Sequence, residues 1–363
     1  MNLFETVSRL GHEQVVFFQH RESALRCVIA IHSTVLGPAL GGLRMWPYAN
    51  EADAVRDVLR HSKDMTYKAA IAGLDVGGAK GILIGNPETD KNEALFRSLG
   101  RFIHSLGGRY IASEDVGTTS DDMELIRLET PHVVGVPEAN GGSGDPSRAT
   151  ALGTLHGIRA CLEFKYGHAD LRRVSFAVQG AGQVGYHLVK LLRAAGSKVF
   201  VTDIAEDRIE HLVDECGAEA VPMSQIYDVE ATVFSPCALS AIINEDTVPR
   251  LRCEIVAGGA NNQLESEELG TELERRGILY APDYAINAGG LMNSTLELQG
   301  YTEARADRRV ARIHDIITRI LRLGAQEKIP TWQAAKQLAE SRLTAISQTK
   351  LPYLASASQP RTF

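Results

Sequence analysis

Short apolar runs alternate with amphipathic stretches along most of this chain, and the alternation predicts an α/β fold. The pattern is clearest near the middle. Residues 174–178 and 198–202 are rich in β-branched and aromatic residues, which is typical of buried strands. Between them, apolar residues recur at helical spacing over 183–195. The predicted order is therefore strand, glycine turn, helix and strand.

The same patterns predict most of the remaining elements. In the N-terminal half they indicate helices over 4–10, 50–69, 94–106 and 120–128, and strands over 14–19, 25–32, 81–85 and 109–112. In the C-terminal half they indicate helices over 149–164, 287–323 and 331–346, and strands over 231–234, 253–257 and 278–280. Glycines and prolines interrupt residues 36–48, so that stretch is predicted to form neither helix nor strand.

A glycine- and proline-rich loop over 137–146 is the predicted hinge between two α/β domains. Residues 1–145, with a C-terminal helix of about 330–363, are expected to form a substrate, catalytic and oligomerisation domain. Residues 146–329 are expected to form a Rossmann dinucleotide-binding domain, with a cleft between the two.

The glycine turn after the first central strand carries candidate cofactor chemistry. The turn contains Gly180, Ala181, Gly182, Gln183, Val184 and Gly185, and Asp203 directly follows the next predicted strand. Such glycines allow a tight turn and close approach to a pyrophosphate, and the helix N-terminus attracts its charge. Asp203 would accept hydrogen bonds from ribose hydroxyls and repel a 2′-phosphate, which favours NAD over NADP. The alternative is an ordinary strand–helix turn with Asp203 as a solvated cap.

Composition excludes several classes of function. The 363 residues carry a net charge of −7 without a basic cluster, so no nucleic acid partner is expected. No apolar run approaches the ~18 residues of a membrane span, and no secretory leader is apparent. The five cysteines are scattered and without zinc-site spacing, which indicates a cytoplasmic protein with no metal centre.

Two lysines and one aspartate are candidates for proton transfer. Lys68 and Lys80 flank a glycine-rich stretch and border predicted buried elements, where lysine is unusual. A desolvated lysine near another cation has a lowered pKa and can act near neutral pH. Asp115 follows a predicted strand, at the rim where α/β sites form. The alternatives are surface lysines at element ends and a turn or capping aspartate.

Seven segments in fixed order resemble the amino acid dehydrogenase family that includes leucine, valine, phenylalanine and glutamate dehydrogenases. They are GPALGGLRMW, MTYKAA with GGAK, SEDVGTT, GAGQVG, SPCAL, AGGANNQL and APDYAINAGG. The resemblance covers essentially the whole chain, and loop lengths are most similar to the leucine dehydrogenase members. It implies oxidative deamination, in which an L-amino acid, NAD and water give a 2-oxo acid, ammonium and NADH.

The resemblance also implies residue roles. Lys80 and Asp115 would be catalytic, and Lys68 would bind the α-carboxylate, assisted by a Gly41–Gly42 turn. Thr150 and Asn287 would lie at the nicotinamide. The other expected substrate-binding positions are Leu40, Met65, Ser113, Asn262, Leu291 and Ser294.

The resemblance leaves the preferred side chain open. Glutamate dehydrogenases place a lysine where this chain has Leu40, so an apolar substrate such as leucine, valine or isoleucine is expected. Ser113 and Ser294 depart from the small apolar residues usual in leucine dehydrogenases, and phenylalanine or tryptophan is the alternative. A non-catalytic NAD-binding protein is a further alternative. The family also suggests a homo-oligomer, with an octamer as one possibility.

Overall fold

The computed structural model describes residues 2–238 and 240–349, which divide into two compact units. Within the described residues, the first unit contains 2–145, 294–302 and 339–349, and the second contains 146–293 and 303–338. The sequence-based division instead kept 294–302 in the second domain and changed domains near residue 330. The part of the predicted C-terminal helix beyond residue 349, and Leu239 of the SPCAL segment, lie outside the described residues.

The first unit is built on a five-stranded mixed sheet. Its strands are β1 (Gln14–His20), β2 (Leu25–Ser33), β3 (Ala39–Trp46), β4 (Gly77–Ile84) and β5 (Tyr110–Glu114). The order is β1-β2-β4-β3-β5, with β3 parallel to both of its neighbours and β2 antiparallel to β1 and β4. Its helices are α1 (Leu3–Leu10), α2 (Glu51–Ile71), α3 (Glu93–Ser105) and α4 (Ser120–Arg127).

Both faces of this sheet are covered. Along β2, Ile29 and Ile31 join the apolar core that contains α3 and α4, whereas Val28 and Ala30 pack with α2 on the other face. Asn50 caps α2 by accepting a hydrogen bond from the Asp53 N–H at 3.0 Å, as its position in the sequence predicts.

The prediction that residues 36–48 form no regular element was wrong, because β3 is an interior strand of the sheet. Glycine weakens a strand in isolation, but here it permits a close approach. A Cβ atom on Gly41 would overlap the carbonyl oxygen of Ala79, and one on Gly42 would lie 2.6 Å from Asp115 Oδ2. Similarly, β4 begins at Gly77 rather than at the predicted residue 81, because Gly77 and Gly78 already pair with β3. Glycine is needed at Gly78, since a Cβ atom there would overlap Thr66 of α2.

Two later segments return to the first unit through specific contacts. Glu297 accepts hydrogen bonds from the backbone N–H groups of Gly135 at 2.7 Å and Ser143 at 2.8 Å. From the C-terminal helix, Arg342 donates to the Leu74 carbonyl oxygen at 2.7 Å, just beyond the end of α2. These contacts explain why 294–302 and 339–349 belong with the N-terminal residues.

The second unit contains a six-stranded parallel sheet of order β11-β10-β9-β6-β7-β8. Its strands are β6 (Ser175–Gln179), β7 (Lys198–Thr202), β8 (Glu219–Ala220), β9 (Val233–Pro236), β10 (Ile255–Val256) and β11 (Leu279–Tyr280). The strand order reverses direction at β6, since β7 lies on one side of it and β9 on the other. Ligands of such sheets bind at the carboxyl ends of the strands flanking this reversal.

Nine helices in the described residues contribute to the second unit. They are α5 (Ser147–Tyr166), α6 (Gln183–Ala194), α7 (Glu206–Cys216), α8 (Glu267–Arg275), α9 (Asp283–Ile286), α10 (Gly289–Ser294), α11 (Glu303–Val310), α12 (Ile313–Glu327) and the first part of α13 (Thr331–Ser347). The long helical region predicted over 287–323 is helical for most of its length but is not continuous. After α10 the chain forms a short 3-10 helix, Thr295–Gln299, which is followed by Gly300 with a φ of 85°. Over the described residues, no helix is long and apolar enough to cross a membrane.

Candidate active site and dinucleotide pocket

An ion pair between the buried Lys80 and the partly buried Asp115 joins the two residues predicted to be catalytic. Lys80 lies inside β4 and is 3% exposed, and its ammonium group donates a hydrogen bond to Asp115 Oδ2. Asp115 directly follows β5, at the carboxyl end expected from the sequence. Lys80 was expected at the start of its strand, and its interior position explains why it is more deeply buried than a lysine at an element end.

The glycines of β3 allow these two side chains to meet. Lys80 belongs to β4 and Asp115 follows β5, and β3 lies between those strands. The pairing of β3 with β4 is interrupted at Gly41 and Gly42, although both glycines pair with β5. The expectation that Gly41 and Gly42 form a turn was therefore wrong, because they lie within a strand and make room for the Asp115 carboxylate.

A tight turn fixes the backbone of Asp115. The Thr118 hydroxyl accepts a hydrogen bond from the Asp115 N–H at 3.0 Å and donates one to the Leu43 carbonyl oxygen at 2.8 Å. Gly117 within this turn has a φ of 82°, and a Cβ atom there would overlap the Met45 carbonyl oxygen. The turn therefore ties the carboxyl end of β5 to β3.

The electrostatics of the site favour an ionised aspartate and a lysine that loses its proton readily. Burial raises the pKa of Asp115, but the charges of Lys80 and Arg44 and the hydrogen bonds from Lys80 and the Val116 N–H together lower it well below its usual value. Burial lowers the pKa of Lys80 and outweighs the opposing effect of Asp115, and Arg44 lowers it further. The residue expected to be the neighbouring cation was Lys68, and the sequence did not single out Arg44, which lowers the Lys80 pKa in the structure.

A network of four side chains extends from the ion pair and was missed in the sequence. The Arg44 Nε lies 3.4 Å from Asp115 Oδ1, and its Nη1 lies 3.0 Å from Asp57 Oδ2. The Tyr48 hydroxyl donates to Asp57 Oδ2 at 2.5 Å, and His61 Nε2 lies 3.1 Å from Asp57 Oδ1. Sequence spacing could have indicated part of this network. Asp57, His61, Met65 and Lys68 recur every three or four residues, so they share one face of α2.

The expected substrate-binding residues are distributed over several elements. Met65 and Lys68 are partly buried near the end of α2, which packs directly on β4 at Gly78. Leu40 is buried on β3, and Ser113 on β5 pairs with Gly42. Ser294 is buried in the first unit, whereas Leu291 is buried in the second.

The predicted phosphate-binding loop lies at the reversal point of the second sheet and borders a pocket of about 250 Å³. The pocket is lined by Gln179, Gly180, Gly182, Thr202, Asp203, Ile204, Arg208, Met223, Cys237 and Ala238. Gly182 precedes the first turn of α6, which carries Gln183 and Val184, and a Cβ atom on Gly182 would have no heavy atom closer than 4.0 Å. The first N–H groups of a helix have no partner within it, and the open space beside Gly182 leaves room for phosphates to bind at this helix start.

The other glycines of the loop have the tight packing that this motif requires. Gly180 has a φ of 107°, and a Cβ atom on it would lie 2.7 Å from the Ala238 Cβ. A Cβ atom on Gly185 would overlap the Gly180 carbonyl oxygen, so the third glycine allows α6 to pack against the loop.

Asp203 stabilises the loop as well as lining the pocket. Its Oδ2 accepts a hydrogen bond from the Ala181 N–H at 2.6 Å, and its Oδ1 accepts one from the Ala205 N–H at 2.9 Å. Each carboxylate oxygen retains a lone pair for a further donor. On the pocket lining, the buried Gln179 Oε1 and Thr202 Oγ1 have no hydrogen-bond partner among the described residues. The donors, acceptors and open space therefore fit a dinucleotide.

The residues expected near a nicotinamide also have unused polar atoms. Asn287 donates to the Ala260 carbonyl oxygen at 3.1 Å, but its Oδ1 is buried without a partner among the described residues. The same holds for the Asn262 Nδ2, and the φ of Asn262 is left-handed at 48°. Thr150 lies in the first turn of α5 and donates to the Pro146 carbonyl oxygen at 3.0 Å. Unpaired buried amides and a strained asparagine are features that cluster at ligand sites.

Together, the parallel sheet with its glycine loop and the buried lysine–aspartate pair define an oxidoreductase of the two-domain α/β dehydrogenase class. Residues 12–132 match the Glu/Leu/Phe/Val dehydrogenase dimerisation domain, and residues 201–350 match the Glutamate/Leucine/Phenylalanine/Valine dehydrogenase model. The chain belongs to this family and is an amino acid dehydrogenase.

Individual relatives match almost end to end. Leucine dehydrogenase from Thermoactinomyces intermedius is 49% identical, over 98% of this chain and 97% of that protein. Phenylalanine dehydrogenase from Bacillus thermotolerans is 44% identical, over 99% of this chain and 94% of that protein. The crystal structure of L-tryptophan dehydrogenase from Nostoc punctiforme superposes with a TM-score of 0.82 at 41% identity, covering 95% of this chain and 99% of that one.

One acidic residue beside the site is a sensitive probe of its electrostatics. Burial, followed by the negative charges of Asp145 and Asp115, raises the pKa of Glu114 from 4.5 to about 8. Below about pH 4.5 the Glu114 carboxyl is protonated in both the folded and the unfolded protein, so it does not affect stability. Between about pH 4.5 and 8 it loses its proton more readily in the unfolded protein, and the folded protein is increasingly destabilised until the pH passes 8. Glu114→Gln should therefore raise the free energy of unfolding by about 2–4 kcal/mol at pH 9 and by almost nothing at pH 4.

Urea unfolding at the two pH values measures this difference. Asp145→Asn provides a comparison, because it removes one of the charges that raise the Glu114 pKa and should weaken the pH dependence. An equal gain from Glu114→Gln at both pH values would contradict the assignment.

Proposed function

We propose that this protein catalyses the reversible, NAD-dependent oxidative deamination of a hydrophobic L-amino acid of the leucine, valine or isoleucine type. The products are the 2-oxo acid, ammonium and NADH. The observation that carries the proposal is the buried Lys80–Asp115 pair in the sheet that also holds the apolar Leu40, in a chain 49% identical to a leucine dehydrogenase.

The proposed chemistry divides between Lys80 and Asp115. NAD, when bound, accepts the hydride released from the substrate Cα. Lys80 in its neutral form would take a proton from the water as its oxygen adds to the imine carbon. Asp115 accepts hydrogen bonds from the α-amino group and would pass that proton from Lys80 to the nitrogen. Neutral Lys80 would then take the hydroxyl proton as the C=O bond forms, the C–N bond breaks and ammonia leaves. Lys68 would pair with the α-carboxylate, assisted by the backbone at Gly41 and Gly42, as the family resemblance implies.

The preference for an apolar substrate is supported by Leu40, which is 1% exposed. A glutamate side chain at this position would bury a carboxylate without a cation, which is costly. Ser113 and Ser294 add hydroxyl groups to the proposed pocket, which departs from a purely apolar lining. The alternative to a branched aliphatic substrate is therefore an aromatic one, since two relatives are a phenylalanine dehydrogenase and an L-tryptophan dehydrogenase.

The choice of NAD rests on Asp203 at the end of β7. Its carboxylate lines the pocket with the glycine loop, where it would accept hydrogen bonds from the ribose and repel a 2′-phosphate. Thr150, Asn262 and Asn287 would hold the nicotinamide carboxamide and the substrate.

We also infer that the protein is a homo-oligomer in the cytoplasm. Its N-terminal residues match a dimerisation domain, and Phe17 on the edge strand β1 is 59% exposed. The five cysteines are unpaired, which suits a reducing compartment. Gel filtration with light scattering would measure the number of subunits.

The roles of Lys80 and Asp115 can be separated from folding and cofactor binding. Lys80→Ala should reduce kcat by at least about 1,000-fold, because the proton-transfer group is lost, while NADH binding measured by fluorescence persists. Lys91→Ala is a matched control, since Lys91 forms an ion pair with Asp122 in the same unit but outside the site. Near-normal turnover by Lys80→Ala would show that Lys80 does not transfer protons.

Cofactor preference follows from the charge on Asp203. We expect kcat/KM with NADP to be at least about 10-fold lower than with NAD. Asp203→Asn should narrow this ratio, because it removes the charge but keeps an acceptor oxygen for one of the two backbone N–H groups that Asp203 binds. Asp207→Asn removes the same charge nearby on α7 without altering the pocket lining and should leave the ratio unchanged. Equal use of both cofactors by the unaltered protein would contradict the NAD assignment.

Substrate preference is tested by steady-state NADH production with leucine, valine, isoleucine, phenylalanine, tryptophan and glutamate. We expect the three branched substrates to give similar kcat/KM values, within about 100-fold, because apolar pockets discriminate single methylene groups weakly. Glutamate should be the poorest substrate. A higher kcat/KM for phenylalanine or tryptophan than for leucine would replace the first proposal with the aromatic alternative.

A further inference from the structure

Arg44 connects the ion pair to helix α2. It lies on β3, and its guanidinium reaches Asp115 at 3.4 Å and Asp57 at 3.0 Å. We propose that Arg44 is a positioning residue for this reaction, one that fixes the orientation of the Asp115 carboxylate and keeps Lys80 ready to release its proton. The inference rests on the proposed roles of Lys80 and Asp115.

The two oxygens of Asp115 have different partners. Oδ1 accepts from the Val116 N–H at 2.6 Å and pairs with Arg44, whereas Oδ2 accepts from Lys80. A carboxylate held at Oδ1 in this way cannot rotate freely about its last torsion. Oδ2 is therefore kept towards the lysine, with the lone pairs that a substrate amino group needs.

Arg44 is itself held from the other side. Asp57 Oδ2 accepts hydrogen bonds from the Arg44 Nη1 and from the Tyr48 hydroxyl, and His61 Nε2 lies 3.1 Å from Asp57 Oδ1. The side chains of Arg44 and Asp57 are only 21% and 17% exposed, so solvent screens these contacts weakly. A planar guanidinium contacts both carboxylates at once through Nε and Nη1, and a lysine has a single nitrogen for the two.

The charges around the pair act in opposite directions. The titratable and charged groups that act on Lys80 or Asp115 include Arg44 from β3, Asp57 and His61 from α2, and Tyr110 and Glu114 from β5. Arg44 lowers the pKa of Lys80, whereas Asp57 raises it. Loss of Arg44 should therefore move the protonation of the pair to higher pH, and loss of the Asp57 charge should move it to lower pH.

The test compares pH profiles of kcat/KM for Arg44→Gln, Arg44→Lys and Asp57→Asn. Activity rises with pH as the lysine loses its proton, so the acid limb reports the titration of the pair in the free enzyme. Arg44→Gln should move this limb up by about one pH unit and lower kcat/KM by at least about 100-fold. Arg44→Lys should keep the limb near its original position but lower kcat/KM about 10-fold, because charge is retained and orientation is lost. Asp57→Asn should move the limb down by less than about one unit.

Arg109→Gln is the matched control. Arg109 is 27% exposed and pairs with Glu13 at 3.1 Å just before the start of β5, the end of that strand opposite to Asp115. Its loss should leave the pH profile unchanged even if thermal stability falls. Thermal unfolding and NADH binding, measured on every variant, identify a protein that is misfolded.

Two results would overturn the inference. One is an unshifted acid limb in Arg44→Gln, and the other is a shift of the same sign in Arg44→Gln and Asp57→Asn. If Arg44→Gln does not fold, the pH profiles of Arg44→Lys and Asp57→Asn test the inference instead. An acid limb of Asp57→Asn that moves to higher pH, or does not move, would then reject the positioning role of Arg44. By contrast, an unaltered protein without amino acid dehydrogenase activity, or an active Lys80→Ala variant, would reject the proposed function itself.

Discussion

The organisation of the first unit depends on a largely buried pair of opposite charges, Lys80 and Asp115, whose side chains are 4% and 21% exposed. Taking these charges largely out of water is costly, and their attraction offsets that cost only with good geometry and further hydrogen bonds. The surrounding structure supplies both. Gly42 leaves space for the carboxylate, Thr118 fixes its backbone, and Arg44 adds a second cation. Removing one partner would leave an uncompensated charge in the sheet, so each of these neighbours is constrained by the pair.

Glycine meets the same physical need in the two units, namely close approach of atoms that a side chain would separate. In the first unit, Gly42 admits a carboxylate and Gly78 admits α2. In the second unit, Gly185 lets α6 pack against the predicted phosphate-binding loop. The predicted proton-transfer site and the predicted phosphate-binding site are therefore both built where backbone lies close to its neighbours.

The candidate site was only partly visible in the sequence. Lys80 and Asp115 stood out because a lysine and an aspartate lie at the borders of apolar strands, and the structure joins them. Arg44 and Asp57 did not stand out. Charged residues near strand and helix surfaces are common, and their roles depend on contacts between β3, α2 and the turn after β5, which lie far apart in the chain.

Local pattern determined the elements whose residues carry their own signal. The β6–α6–β7 unit, the acid that follows it and the capped start of α2 were all predicted, because propensity, periodicity and capping act within a few residues. Only tertiary structure decided that glycine-rich β3 is an interior strand, that 287–323 is broken, and that 294–302 returns to the first unit. These outcomes depend on distant partners: β4 and β5 on either side of Gly41, and the 135–143 loop that binds Glu297. Contacts of such long sequence separation leave no periodic trace in the chain.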